Sequence, residues 1–269
     1  YVVIDELHQY RGVFGSHLAN LMRRLRRICD FYGSRPVFLC SSATIANPQE
    51  LAERLIEQPV RLIDQNGAPR GEKHFIFLNP PAVGRDGVRV PVVKASARVA
   101  GKLLQNDIQT IVFARSRNNV EVLTTYLKEL VGPNKAHRVM GYRGGYRPLE
   151  RRQIEAGLRE GKILGVVSTN ALELGIDIGQ LEACVMTGYP GTIASAWQQA
   201  GRAGRRASTS LTVLVGSASP LDQYIMEHPE FFFERAPEQA LINPDNLLIL
   251  VSHLKCAAFE LPFLEGDKF

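Results

Sequence analysis

The 269-residue chain has no long hydrophobic run; stretches such as Leu247 to Val251 fall far short of the roughly 20 apolar residues of a membrane-spanning helix. No basic-then-apolar leader opens it, so the expected location is cytoplasmic and no membrane partner is expected. Cysteine is sparse. Cys29, Cys40, Cys184 and Cys256 lie far apart, without C-x-x-C spacing or a nearby histidine pair, which argues against a zinc site and a disulfide framework and for buried, reduced thiols. Internal repeats and low-complexity segments are also lacking, which excludes a solenoid. Charge of one sign is not in large excess: a formal +5 suits a polyanionic partner but does not require one.

The hydrophobic share is 45%, ordinary for a globular protein, and the length suits two domains. Apolar runs alternate with amphipathic stretches, the pattern of parallel sheets covered by helices, so the expected fold class is α/β. Strands are expected at 1–4, 36–40, 60–63, 75–78, 111–114, 163–167, 183–187 and 211–215. Ser16 is expected to cap a helix with Leu18, Leu21, Met22, Leu25 and Ile28 inward and Arg23, Arg24, Arg26 and Arg27 on a solvated face. Asn47-Pro48-Gln49-Glu50 predicts another helix start with a reciprocal cap. Glycine and proline crowd 65–87, as in a connector. The expected organisation is a first domain at 1–64, a connector at 65–97, a second domain at 98–217 and a helical extension at 218–269. The chain opens directly on a buried-type strand, Tyr1-Val2-Val3-Ile4, and is expected to be a fragment.

In open parallel sheets ligands sit beyond the carboxyl ends of strands, and five such places carry polar residues. Asp5 and Glu6 follow the first strand; the pair suits a magnesium ion held through water and an oriented attacking water, or else a surface acidic loop. Ser42 and Thr44 follow the second strand, where small hydroxyls can relay a change or merely end a strand. Arg115 and Ser116 follow Phe113, suited to backbone phosphates of a nucleic acid, with Ser116 also able to cap a helix. Thr169 suits a phosphate of the same strand, and Asp177, beyond Gly175, a ribose hydroxyl; the plain alternatives are a cap and a turn. Thr192 is expected to cap a helix that carries Gln198 and places Arg202 and Arg205 on one face, with Gly201 and Gly204 allowing close approach.

Aromatic residues interleave with cations at Tyr10, Arg11 and Phe14, and at Tyr142, Arg143, Tyr146 and Arg147. Bases can stack there at roughly 1–3 kcal/mol each, or the rings anchor their loops. Trp197 reads as core. Leu247, Leu248, Val251 and Leu254 form an apolar stripe for packing or docking.

These five elements, in this order, resemble motifs II to VI of superfamily 2 helicases. Asp5-Glu6-Leu7-His8-Gln9-Tyr10-Arg11-Gly12-Val13-Phe14-Gly15-Ser16-His17, the stretch Cys40 to Pro48, Gly141 to Tyr146 and Asn243 to Phe263 narrow the resemblance to the YprA/MrfA-type DNA helicases. The resemblance implies two RecA-like domains, the first truncated, using ATP and Mg²⁺ on a DNA single strand or partial duplex. It implies that Asp5 and Glu6 serve the metal and water, that Gln198, Gly175, Asp177, Arg202 and Arg205 serve the nucleotide, with Arg205 as the arginine finger, and that His8, Ser42 and Thr44 couple the domains. Arg11, Arg115, Ser116, Tyr142, Arg143 and Thr169 would meet the nucleic acid. It further implies 3'-to-5' translocation, a role in DNA repair and a downstream zinc-binding domain. The sequence lacks the G-x-x-x-x-G-K-[ST] phosphate loop, and Gly141 to Tyr146 holds no lysine to replace it, so the chain alone is expected not to hydrolyse ATP. RNA unwinding, duplex translocation without unwinding, and a non-catalytic nucleic-acid scaffold remain the alternatives.

Overall fold

In a computed structural model, residues 1–65, 67, 71–83, 88–173, 178–179, 181–204, 209–267 and 269 are described. In chain order the elements are β1 (Val2–Ile4), α1 (Gly12–Phe31), β2 (Phe38–Cys40), α2 (Pro48–Ile56), β3 (Lys73–Leu78), β4 (Ala82–Val83), β5 (Val88–Arg89), α3 (Val92–Gln105), β6 (Thr110–Phe113) and α4 (Arg117–Val131). They continue with α5 (Pro133–Ala136), β7 (Val139–Tyr142), α6 (Pro148–Arg159), β8 (Gly165–Ser168), β9 (Ala183–Thr187), α7 (Ile193–Ala200), β10 (Ser210–Val215), α8 (Pro220–Glu227), α9 (Pro229–Glu234) and α10 (Leu247–Glu260). None of the described helices is long and apolar enough to cross a membrane.

Contacts divide the chain into Tyr1–Asn66 with Ala236–Phe269, and Gly67–Arg235. The expected connector therefore contributes a strand and a helix to the second unit, and the expected C-terminal extension is shared between the two. In the second unit six parallel strands run in the order β3-β10-β9-β6-β8-β7. Alternate residues feed opposite faces: Ile111 and Phe113 join a core with Ile154, Leu158, Ile193 and Phe232, while Val112 joins Leu104, Val120, Leu123 and Leu127. Both faces being buried explains why these strands read as continuous apolar runs. β7 escaped the sequence pattern because its four residues, Val-Met-Gly-Tyr, offer little β-branched signal. Trp197 is core, stacked on Phe232 at 5.1 Å.

The first unit pairs β1 with β2 in parallel, Val2 opposite Phe38, around Ile4, Leu7, Met22, Leu51, Leu55, Ala240 and Ile242. The stretch 60–63 is not a strand: the Val60 backbone bonds to Gln49 and Glu53 of α2, and Ile63 is exposed. α1 starts at Gly12, not at Ser16. Ser16 Oγ donates to the Gly12 carbonyl and accepts from the Asn243 amide, so it fastens the tail rather than capping. Gly15 is required there, since a Cβ would collide with the Tyr10 carbonyl and Ile242. Asn47 also turns to the tail, bonding both backbone groups of Ala240, so Pro48 opens α2 without the expected cap. α10 begins later than Asn243-Pro244-Asp245 suggested, capped by Asn246, because Asn243 and Pro244 bond to α1 and Asp245 pairs with Arg23.

The arginines of α1 are not a solvated face. Arg23 bridges Glu57 and Asp245, Arg24 pairs with Glu260, Arg26 reaches the Ile56 carbonyl, and Arg27 binds the carbonyls of Ala257 and Leu261 with its guanidinium 3.7 Å from the Phe263 ring. Leu247 and Leu248 of the expected apolar stripe are largely exposed. All four cysteines are free; Cys184 is buried, but Cys256 is exposed, against the expectation of four buried thiols.

Candidate nucleotide and nucleic-acid site

In the first unit the end of β1 and the end of β2 are stitched together. The Ser41 amide bonds the Ile4 carbonyl, the Leu7 amide bonds the Ser41 carbonyl, and Ser41 Oγ donates to Asp5 Oδ1. The Glu6 amide donates to the same Oδ1 at 2.9 Å. These bonds, Ser41 first, hold the exposed Asp5 carboxyl below the ordinary carboxylate range. An ionised carboxylate that accepts both of these bonds on Oδ1 presents Oδ2 as a hard donor, which fits a magnesium ion held through its water shell. Glu6 adopts a left-handed backbone, φ 54°, an arrangement that costs on the order of 1–3 kcal/mol and concentrates at functional sites.

His8 is buried, and its Nδ1 accepts from the Ala43 amide at 3.1 Å. Nδ1 is therefore unprotonated, and the Glu6 carboxylate 3.5 Å away is a contact rather than an ion pair. His8 thus joins the acidic loop to the loop after β2. Ser42 and Thr44 are exposed, and Ser42 Oγ donates only to the neighbouring Ala43 carbonyl. Ser41, which the sequence pattern did not single out, carries the physical link. Arg11 is exposed beside Phe14, which stacks on Tyr10 at 5.5 Å and leaves its own ring mostly in solvent.

In the second unit, parallel strands bring the ends of β7, β8 and β6 to one edge as neighbours, carrying Arg143, Thr169 and Arg115 in turn. Arg143 lies over the Tyr146 ring at 5.2 Å and 3.4 Å from Glu121. Arg115 is half exposed, and Ser116 caps α4 by accepting from the Asn119 amide, so the plain reading of Ser116 holds. Tyr142 does not present a stacking face. It is 1% exposed and its hydroxyl donates to Glu155; burial, then Glu155, pushes its pKa up to about 12. Tyr142 is an anchor.

Thr192 caps α7 as expected, accepting from the Ser195 amide at 3.1 Å. The helix stops at Ala200, so Arg202 lies past its end and not on a helical face. Gly204, at φ 78°, turns the chain where a Cβ would strike Ser210; its glycine serves that turn rather than a ligand's approach. Gln198 is half-buried on α7. Gly175, Asp177 and Arg205 lie outside the described residues.

Two buried carboxylates went unread in the sequence. Glu173 accepts from Ser195 Oγ at 2.5 Å and Gln199 Nε2 at 3.0 Å, tying the loop after β8 to α7. Asp222 accepts from the amides of Tyr189 and Ser217 and sits 3.9 Å from Arg115 Nη1, tying the loops after β9 and β10. Glu173 joins segments distant in the chain, so no local spacing marks it; Asp222 also caps locally with Ser219, and its reach to Tyr189 and Arg115 lies beyond any local pattern. No group of three or more His, Cys, Asp or Glu with metal-binding geometry occurs among the described residues.

Residues 95–207 match the family described as helicase conserved C-terminal domain. The chain is 62% identical over 271 residues to a Bacillus subtilis protein named ATP-dependent helicase YprA, covering 100% of this chain and 36% of that protein. It is 41% identical to the Saccharomyces cerevisiae ATP-dependent helicase HRQ1, covering 99% of the chain and 26% of the yeast protein. The solved structure of the DUF1998 helicase MrfA bound to DNA and AMPPNP superposes with a TM-score of 0.96 at 62% identity, over 100% of this chain and 38% of that one. The chain thus spans about a third of the length of these relatives.

Proposed function

The chain belongs to the superfamily 2 helicases of the YprA/MrfA type, and from that premise we propose that it is the motor portion of an ATP-dependent DNA helicase. The observation that carries this is the shared edge of β7, β8 and β6, where Arg143, Thr169 and Arg115 succeed one another at positions suited to a phosphate backbone. Such contacts position a strand without reading its sequence.

ATP with Mg²⁺ supplies the phosphoryl transfer. Asp5 would hold a magnesium ion through its water shell, the ion supplying charge neutralisation on the phosphates, and Glu6 would orient the attacking water. Gln198, Gly175 and Asp177 bind the nucleotide, while Arg202 and Arg205 neutralise charge on its phosphates, Arg205 acting as the finger. His8, with Ser42 and Thr44 on the loop it fastens, passes the state of the acidic loop onward. Arg11 and the open face of Phe14 add a stacking contact for a base. Movement is 3'-to-5', the setting is cytoplasmic DNA repair, and the protein includes an N-terminal phosphate-loop half and downstream domains. The two RecA-like domains correspond to 1–66 with 236–269 and to 67–235, wider than the expected 1–64 and 98–217.

Strand displacement by the intact helicase on DNA, RNA and hybrid duplexes tests the reading. DNA unwinding that needs ATP and disappears in Arg202→Ala supports it. Unwinding of RNA alone would move the protein to the RNA class, and DNA binding without turnover would make it a scaffold. Residues 1–269 by themselves are expected to show no DNA-stimulated turnover.

A further inference from the structure

Arg202 stands in a segment that α7 no longer supports, yet its backbone is held from several sides. Its amide donates to the Gln199 carbonyl at 3.0 Å, the Ala203 amide to the Ala200 carbonyl at 3.2 Å, and the Gly204 amide to the Leu181 carbonyl at 3.0 Å. Ala203 also forms a parallel bridge with Leu181. A further tie is a side chain from an edge strand of the sheet: Lys73 Nζ donates to the carbonyls of Ala200 at 2.5 Å and Ala203 at 2.9 Å. Those two carbonyls bracket Gly201 and Arg202.

Lys73 opens β3, the edge strand, with Ser210 as its partner in register. Half-buried, it lies at the C-terminal end of α7, where the carbonyls have run out of i+4 helical donors and the helix dipole is negative, a place that attracts an ammonium group. Burial lowers its pKa, so the group is retained against a desolvation cost. A lysine serving only solubility would sit in water.

We propose that Lys73 is a positioning residue for Arg202: its ammonium clamps the turn after α7 so that the guanidinium starts from one fixed backbone position. This rests on the reading of Arg202 as a contact to the nucleotide phosphates. The clamp removes backbone freedom before the nucleotide arrives, so the arginine needs no reordering when charge develops on the phosphoryl group.

The experiment is steady-state and single-turnover ATP hydrolysis by the intact helicase, with saturating DNA, for Lys73→Met, Arg202→Ala and the double variant. Met keeps the aliphatic stem and removes the donors. A displaced catalytic group costs about 100-fold, so Lys73→Met is expected to lower kcat by roughly 10- to 100-fold, with the KM for ATP within about threefold. On the Arg202→Ala background it should cost less than about twofold more, since the residue it places is gone. Lys73→Arg, which keeps charge and donors, should restore most of kcat. Should Lys73→Met lose its cooperative melt, Lys73→Gln replaces it in both backgrounds under the same criteria. A kcat within twofold of the parent, or an equal loss on both backgrounds, overturns the proposal. Full turnover in Arg202→Ala would instead overturn the phosphate-contact reading, so the two failures are distinct.

Discussion

The second unit displays its candidate residues along six parallel strands buried on both faces, whereas the first hangs Asp5 and Glu6 from two strands whose Val3 and Leu39 are exposed. In the second, backbone register decides where Arg143, Thr169 and Arg115 emerge. In the first, position depends on side-chain bonds: Ser41 to Asp5, His8 to the Ala43 amide, and arginine ties from α1 to the tail. Six strands in register aim residues by geometry; the ends of β1 and β2 aim theirs by local bonding.

The largest expected effect breaks chemistry without touching either scaffold. Glu6→Gln in the intact helicase should lower DNA-stimulated turnover by roughly 10²–10⁴, as loss of a water-orienting base does, with an unchanged melting profile. Unchanged turnover would return Glu6 to a surface loop.

Deleting 236–269 should unfold residues 1–66 while leaving Gly67–Arg235 protected. The cut removes Ala240 and Ile242 from the smaller core together with the partners of Arg24 and Arg27. Hydrogen exchange reads this directly, and equal protection of 1–66 with and without the tail would show that the core of 1–66 does not depend on Ala240 and Ile242.

Within the larger unit, Glu173→Ala leaves Ser195 and Gln199 without their buried acceptor, at an expected cost of about 1–3 kcal/mol in chemical denaturation. No change would mean that the sheet alone holds the loop after β8.

The smallest effect is a pH dependence confined to the first unit. His253 of α10 meets His17 at 3.0 Å and Arg24 at 3.3 Å, with Glu260 also nearby. Burial, then Arg24 and His17, hold its pKa below 6.5. The neutral imidazole is favoured in the fold, so its contribution is intact above pH 6.5 and erodes as pH falls below that value, where the unfolded chain takes up the proton first. His253→Gln should flatten that slope in melts between about pH 7 and pH 5.

The parallel α/β character and most strands were legible because both-face burial writes continuous apolar runs, as in Ile111-Val112-Phe113. Local capping was legible at Thr192 and Ser116, where the acceptor lies three residues before the donor. It failed at Ser16 and Asn47, whose side chains spend their bonds on Asn243 and Ala240, nearly two hundred or more residues away. The same limit hid Ser41, Glu173 and Lys73, and the reach of Asp222 to Tyr189: each acts on a partner that only the folded chain brings near. The α1 arginines were misread because their spacing matches a solvated face, while their partners come from the tail and Glu57.

The first unit is discontinuous, its opening 66 residues completed by a segment that starts at Ala236. On the ribosome those residues leave the exit tunnel well before their partners are made, at roughly 5–20 residues per second a wait of about ten to thirty seconds. The inserted unit can settle during that interval. Until the tail is made, Met22, Leu51 and Leu55 lack the Ala240 and Ile242 side chains that share their core, which makes that interval the one in which a chaperone would be needed.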